Sequence, residues 1–174
     1  MGMKIDPFDL HLLYKGVFDY DELYKKVNDW MLFRGYQLHE TIYEAKGKEY
    51  GKELRVDWEA WRKINEAVKL ILKVHYQIWD IQYINVEQNG KSKKLMKARM
   101  YIRFTRQTEF DFSDSFGKTS FKMQLRKFLY LRVFKEFFDS LWEDKLRFKM
   151  YQLQSEVKEV LDMQTVGNEH WDVW

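Results

Sequence analysis

Apolar and polar residues alternate along three stretches of the chain, which is the pattern of a β-sheet with one covered face. The longest stretch has an apolar residue at every second position: Val68, Leu70, Leu72, Val74, Tyr76 and Ile78. The same period recurs around Val56 and around Met100. Shorter apolar segments at residues 10–18 and 36–45 also have the character of strands. The pattern therefore predicts about five strands.

Two groups of turn-forming residues separate these strands. Asn89-Gly90 is a strong hairpin signal and predicts that the fourth and fifth strands pair side by side. Lys46-Gly47-Lys48 predicts a turn after the second strand. If the hairpin forms, the polar positions of its two strands lie next to each other on one face of the sheet.

Two other segments have the spacing of helices. Asp19 and Glu22 resemble a capping box, apolar residues follow at intervals of three or four, and Gly35 supplies a stop. Residues 120–163 contain no Gly or Pro and predict a second, much longer helix. Unbroken, that helix would be about 66 Å long, whereas a globule of this size is only about 40 Å across. It must therefore break, bend or protrude.

The middle of the long helix is apolar nearly all the way round, so one sheet face cannot cover it. A second copy of the chain would supply the missing cover, because two-fold homodimers are the commonest closed assemblies. The predicted dimer interface consists of Phe128, Leu131, Phe134, Phe137, Phe138, Leu141 and Trp142.

These elements predict an α+β protein with a curved antiparallel sheet of about five strands, one short N-terminal helix and one long C-terminal helix. Proteins with a helix-grip fold share this order of elements. Residues 1–163 are expected to form a single domain. Residues 164–174 lack periodicity and are expected to form a loosely ordered tail.

Several classes of chemistry are disfavoured by the composition. The chain has no Cys, and its four His are scattered without the spacing of metal ligands. Its eight Gly form no phosphate-binding or dinucleotide motif. Asp57 and Glu59 share a strand face, but ion pairs with Lys69 or Lys73 on the neighbouring strand account for them. We therefore expect no catalytic residues, no metal site and no cofactor.

The charge distribution is asymmetric. Between Glu87 and Lys135 there are 13 Lys or Arg against four Asp or Glu, a net charge of +9, so the rest of the chain carries −6 of the overall +3. Basic residues interleaved with aromatic ones suit RNA, because cations neutralise phosphates and flat rings stack on bases. On the polar face of the predicted hairpin, the expected nucleic-acid-binding residues are Lys69, Lys73, His75, Trp79, Lys97, Arg99, Tyr101 and Arg103.

A resemblance to a known family extends over nearly the whole chain. It is carried by four segments: Phe18-Asp19-Tyr20-Asp21-Glu22-Leu23-Tyr24, Arg34-Gly35-Tyr36 with His39-Glu40, Lys97-Ala98-Arg99-Met100-Tyr101-Ile102, and Val160-Leu161-Asp162-Met163. In these segments the chain resembles a family of small archaeal α+β proteins that is similar to the archaeal ribosome dimerisation factors. The resemblance implies a homodimer that binds the small ribosomal subunit. None of these segments contains a catalytic motif.

Three functions follow as alternatives. The first is a non-enzymatic homodimer that binds the ribosome or RNA. The second is a helix-grip protein whose apolar pocket, between the sheet and the long helix, binds a ligand or hosts a lyase-like reaction. The third is a structural dimer whose basic surface only maintains solubility. No long apolar run indicates a membrane span and no leader is evident, so we expect a cytoplasmic protein without a membrane partner.

Overall fold

The computed structural model describes residues 3–4, 7–48, 51–65, 68–88, 91–110, 124–125, 128 and 144–163. Within these residues the elements are β1 (Met3–Lys4), β2 (Phe8–Phe18), α1 (Tyr20–Phe33), β3 (Gln37–Lys48), β4 (Gly51–Lys63), β5 (Val68–Gln88), β6 (Lys91–Phe110) and α2 (Asp144–Val160). Their order confirms the predicted α+β class, with an N-terminal helix between strands and a C-terminal helix after the sheet.

All strands belong to one antiparallel sheet. The order is β1-β6-β5-β4-β3, and β2 also pairs with β6. Because β5 pairs along the whole of β6, β1 and β2 must follow one another along the opposite edge of that strand. The sheet is therefore five strands wide, which confirms the predicted number.

The predicted hairpin is the centre of this sheet. The pairing of β5 with β6 runs from Val68 opposite Phe110 to Gln88 opposite Lys91, and residues 89–90 lie outside the described residues. The register shifts once, between Trp79 and Gln82, where Asp80 has a positive φ of 58°. Such a bulge changes which residues face each side of the sheet. The next buried residue after Ile78 is therefore Ile81, three positions later.

One face of the sheet, here called the inner face, packs against both helices. It carries the large buried side chains of Trp58, Tyr76 and Phe104. Helix α1 contributes its apolar stripe and α2 contributes another, and all of these side chains join one hydrophobic cluster. The fully or nearly fully buried residues are Leu23, Val27, Trp30 and Met31 of α1, Met150, Leu153 and Val157 of α2, and Leu161 directly after α2. The helical spacing of these residues is thus explained by burial against the sheet.

Helix α1 begins and ends where the sequence predicts. The Asp19 side chain accepts a hydrogen bond of 3.0 Å from the Glu22 backbone N–H, which satisfies one free donor of the first turn. At the other end Gly35 has a φ of 74°, a left-handed conformation that glycine adopts without strain. The Gly35 and Tyr36 backbone N–H groups donate to Leu32 and Met31 carbonyls and close the helix.

The predicted long helix over residues 120–163 is only partly described. Residues 124, 125, 128 and 144–160 are helical. Helix α2 ends at Val160, where Met163 donates a backbone hydrogen bond to Lys158 and Asp162 has a φ of 51°. The predicted tail at 164–174 lies outside the described residues, and the single domain over 1–163 stays a prediction.

One predicted turn is wrong. Lys46-Gly47-Lys48 belongs to β3 and pairs with β4, and Lys48 lies opposite Gly51. The strand continues because lysine side chains can stay exposed near the end of a hairpin. Gly47 pairs with Lys52 as an ordinary strand residue. Turn-forming residue types were a weaker influence here than the pairing with β4.

Replacing Asp19 tests the start of α1. Burial opposes ionisation of Asp19, but hydrogen bonds from Lys93 and from the Glu22 backbone N–H outweigh it and lower its pKa. We expect Asp19→Ala to cost about 1 kcal/mol of unfolding free energy at pH 7. A carboxylate whose pKa is lowered by folding stabilises above its unfolded pKa of about 4, and that stabilisation is lost as the pH falls through the folded value.

Urea unfolding of wild type and Asp19→Ala at pH 7 and at pH 3 measures this effect. The difference between the two proteins should shrink at the lower pH. Asp19→Asn is the control, because its amide oxygen can still accept the cap hydrogen bond while the charge is lost. A difference that is unchanged at pH 3 would contradict the assignment.

Candidate nucleic-acid interface

The face of the sheet opposite the inner face, here called the outer face, carries the polar positions of the hairpin. All eight predicted nucleic-acid-binding residues lie on it: Lys69, Lys73, His75 and Trp79 on β5, and Lys97, Arg99, Tyr101 and Arg103 on β6. The three basic residues on β6 are exposed, whereas Tyr101 and the four β5 residues are partly buried. Their placement on one face agrees with the alternation, and their role in binding stays a prediction.

The pairing of β5 with β6 determines which of these residues are neighbours. Trp79 lies opposite Arg99, and His75 lies opposite Arg103. Lys73 lies opposite Thr105, while Lys69 lies opposite Glu109 at the far end of the hairpin. The predicted site is therefore a strip along two strands, with Lys69 furthest from the exposed cations of β6.

Several of the predicted cations are paired with acids. Lys69 contacts Glu109 at 3.4 Å and Lys73 contacts Glu59 at 2.8 Å, which confirms that ion pairs between strands account for Glu59. The Arg99 guanidinium donates to the Asp80 carboxylate at the bulge. Exposed pairs of this kind contribute little stability, but they lower the positive charge available to a partner.

Other cations on the outer face have no such neighbour. Among the described residues, no acid forms an ion pair with Lys15, Lys97 or Arg103. Lys15 lies opposite Arg99, and Val17 lies opposite Lys97, because β2 pairs with the outer edge of β6. These positions form the most positive part of the outer face.

Strand β2 adds residues that the sequence analysis missed. His11, Leu13, Lys15 and Val17 lie on the outer face beside β6, and Leu13 is 73% exposed. Leu13 and Val17 interrupt the alternation of polar residues, so no periodic signal marked them. Their place in the site depends on a pairing between segments about 90 positions apart, which no local pattern specifies.

A row of charged and polar residues crosses four strands of the outer face. Asp57 on β4 lies opposite His75, His75 lies opposite Arg103, and Arg103 lies opposite His11. The Nδ1 atom of His75 is bonded to the Asp57 carboxylate. The Nδ1 atom of His11 lies 2.7 Å from the Tyr101 hydroxyl. We call these four residues, Asp57, His75, Arg103 and His11, the cross-strand row.

The environment of Asp57 keeps its carboxyl group ionised. Burial opposes ionisation, but hydrogen bonds from His75 and from Arg55 outweigh it and lower the pKa of Asp57. Arg55 donates to the second carboxylate oxygen at 2.7 Å and 3.0 Å. Since an ionised carboxylate only accepts hydrogen bonds, His75 must donate from Nδ1.

Two open depressions flank the strip. The first, with a volume of about 220 Å³, is lined by residues that include Arg55, Asp57, Lys73, His75 and Arg103. The second, of about 340 Å³, lies at the bulge and is lined by Lys15, Gly16, Asp80, Gln82, Lys97, Ala98 and Arg99. Both are bordered by basic side chains of the outer face.

The inner face contains an aromatic cluster beneath α1. The Tyr24 hydroxyl and the Trp58 indole N–H both donate to Glu40, at 2.8 Å and 3.0 Å. The Tyr20 and Tyr76 hydroxyls are buried with no hydrogen-bond partner in the described part of the chain. Burial is the main cause of the raised pKa of both tyrosines, so neither ionises near neutral pH.

The predicted dimer interface is mostly not described. Phe128 is helical and 57% exposed. The other six residues, Leu131, Phe134, Phe137, Phe138, Leu141 and Trp142, lie outside the described residues, so the interface stays a prediction.

The described residues show neither a metal cluster nor a membrane-spanning helix. They contain no group of three or more acidic or histidine side chains arranged to hold a metal ion. The helices seen there are all too short or too polar to cross a membrane.

Comparison with solved structures gives only weak likenesses, of which two are described here. No protein-family model and no curated protein matches the chain. The di-domain ARO/CYC StfQ from the steffimycin biosynthetic pathway is 8% identical, with a TM-score of 0.26 over 90% of this chain and 52% of that one. Norcoclaurine synthase from Thalictrum flavum is 11% identical, with a TM-score of 0.21 over 92% of this chain and 90% of that one.

This chain thus spans about half the length of StfQ. Both TM-scores are too low for either likeness to support a shared fold or activity.

Substitution of Tyr76 tests the aromatic cluster. Tyr76 is 2% exposed and its hydroxyl has no partner within the described residues, so removing the oxygen relieves an uncompensated desolvation. We expect Tyr76→Phe to leave the unfolding free energy unchanged or to raise it by up to about 1 kcal/mol. Thermal or urea unfolding measures the difference.

Tyr24→Phe is the matched control, because it deletes a hydroxyl that donates to Glu40. This control should lose about 1 kcal/mol. A loss of the same size in Tyr76→Phe would show that its hydroxyl has a partner in solution.

Proposed function

We propose that this protein is a non-enzymatic RNA-binding protein that uses the outer face of its sheet. The observation that carries this proposal is the group of exposed cations without acid partners among the described residues, Lys15, Lys97 and Arg103, on adjacent strands. Cations held at strand spacing can each neutralise a phosphate of a nucleic acid, and the counterions that are released favour binding.

Aromatic and apolar groups lie beside these cations. Tyr101 stands between two imidazole rings, stacked with His11 at 5.8 Å and edge-on to His75 at 6.3 Å. Trp79 lies opposite Arg99, and the exposed Leu13 lies opposite Tyr101. Rings and apolar side chains next to cations suit unpaired bases, which stack without regard to sequence.

The partner we propose is a structured RNA with accessible single-stranded parts, such as that of the small ribosomal subunit. The resemblance to ribosome dimerisation factors motivates this choice. We further propose that two copies associate through the long helix, which would present two outer faces to one large partner. A homodimer of this kind would raise the apparent affinity through the effective concentration of its second face.

A second candidate function is favoured by the aromatic cluster. The buried hydroxyls of Tyr20 and Tyr76 would hydrogen-bond a small polar ligand held between the sheet and the helices. This candidate corresponds to the helix-grip alternative. It predicts that a ligand raises the melting temperature of the wild type more than that of Tyr76→Phe.

Neutralising the exposed part of the strip tests the proposed function. We expect the combined variant Lys97→Gln, Arg99→Gln and Arg103→Gln to bind a single-stranded RNA much more weakly than the wild type. The slope of log affinity against log salt should fall by about 1.4 to 2, because each phosphate contact on a single strand contributes about 0.7 and Arg99 is shared with Asp80. Fluorescence anisotropy at several salt concentrations measures both quantities.

The matched control combines Lys25→Gln, Lys26→Gln and Lys158→Gln on the two helices. It changes the net charge by the same amount but leaves the outer face intact. Equal losses in the two variants would show a dependence on net charge alone. Binding that is unchanged in the outer-face variant would leave only the structural dimer or the ligand-binding protein as explanations.

Asp80 provides a test in the opposite direction. Its carboxylate holds the Arg99 guanidinium, so Asp80→Asn should free that cation and raise the RNA affinity roughly two- to fivefold. Asparagine tolerates the positive φ of this position, so the bulge should persist. Glu44→Gln is the control, because Glu44 pairs with Lys46 and not with the strip. A weaker affinity in Asp80→Asn would contradict the proposed role of Arg99.

A further inference from the structure

We infer that His11, Arg103 and His75 form a binding site for one phosphate group of the RNA and that this site binds more tightly as the pH falls. The inference rests on the proposed function, because it assigns one contact within the outer face. It adds a ligand chemistry and a pH dependence that neither the charge pattern nor the exposed cations imply.

The register of the sheet places the three side chains in one line. His11 on β2 and His75 on β5 both lie opposite Arg103 on β6, one on each side. Neighbouring strands are about 4.8 Å apart, so the backbones of the two histidines are about 10 Å from each other across the arginine. The Tyr101 ring lies between the two imidazoles, so a phosphate bound to the Arg103 guanidinium would lie beside this ring with one histidine on each side.

Each imidazole is held by its Nδ1 atom. The ionised Asp57 carboxylate holds Nδ1 of His75, and the Tyr101 hydroxyl holds Nδ1 of His11. Neither Nε2 atom has a hydrogen-bond partner within the described residues. Fixing one ring nitrogen orients the ring and leaves the other available, as in metal and catalytic histidines. Protonated Nε2 atoms can donate hydrogen bonds to phosphate oxygens, and no further conformational entropy is lost because the rings are already oriented.

The charged groups around the row leave a positive site. On β4, the Asp57 carboxylate contacts Arg55 as well as His75. Glu59, also on β4, forms an ion pair with Lys73 on β5. Arg103 has no acid partner among the described residues. These groups line the depression of about 220 Å³, which is open to a ligand.

The remaining neighbours of the row are on β2 and β6. Asp9 lies two residues before His11 and opposes an anion, while Lys15 further along β2 favours one. The acids Asp9, Asp57 and Glu59 are thus outweighed by the four cations around the row, Arg55, Lys73, Arg103 and Lys15, even before either imidazole gains a proton.

The sign of the pH dependence follows from this arrangement. Histidine side chains generally change charge between about pH 5 and pH 8, whereas an RNA phosphodiester keeps its negative charge over that range. Lowering the pH from 8 to 6 therefore adds positive charge at the site without changing the ligand. The affinity must rise.

Single-stranded RNA binding at pH 6 and pH 8, at one ionic strength, tests the inference. We expect the wild type to bind about tenfold more tightly at pH 6, the value of one good charged hydrogen bond. The double variant His11→Gln with His75→Gln should bind with the same affinity at both values. His39→Gln is the matched control, because His39 lies on β3 opposite Glu59 and outside the row, and it should behave as the wild type.

A pH dependence that persists in the double variant would overturn the inference while leaving the proposed function intact. A second measurement separates the two, and it uses the wild type alone. Inorganic phosphate added to the wild type should shift the ring NMR signals of His11 and His75 but not that of His39. Shifts without any RNA binding would support the phosphate site and overturn the RNA function, and the absence of both would overturn both proposals.

Discussion

The pairing of β5 with β6 is the constraint on which the rest of the structure depends. Two strands of 21 and 20 residues pair along their whole length, and each neighbouring strand takes its register from them. A slip of one residue would move Val74, Met100 and Phe104 from the core to solvent, so burial of the inner face holds the register. Burial of the inner face therefore also aligns the residues of the cross-strand row on the outer face, although none of those residues is part of the hydrophobic core.

Seven basic residues lie between Lys91 and Arg106 with no acid among them, and the same register disperses them. Lys93 pairs with Asp19 at the start of α1, and Lys94 lies over the Tyr83 ring at 3.9 Å. Arg106 falls on the inner face, where it is 3% exposed and lies over the Phe8 ring. Seven cations close in sequence therefore occupy several different environments. The charge that remains on the outer face is smaller than the count suggests, and β2 adds to it with Lys15.

The bulge at Asp80 connects the fold with the proposed site. It changes the parity of β5, so Ile81 enters the core and the strand beyond it is aligned differently. The same residue pairs with Arg99, which otherwise would join the exposed cations of β6 that have no acid partner. The bulge thus determines that Ile81 is buried in the core. It also determines that Arg99, at one end of the strip, is paired with an acid. Bulges often have such a role, because they redirect a side chain at little cost to the ladder.

The sequence by itself determined the class of the fold, the faces of β4, of β6 and of β5 up to its bulge, and the limits of α1. These properties depend on the alternation around Tyr76 and Met100, on Asp19 and on Gly35, all of which act over a few neighbouring residues. Only the tertiary structure decided which cations are paired with acids and which groups share a row. His11 joins Arg103 and His75 through pairings across about 30 and 90 positions, and burial of the opposite face enforces those pairings. A local pattern cannot encode them, because the residues that hold the register are not the residues that meet on the outer face.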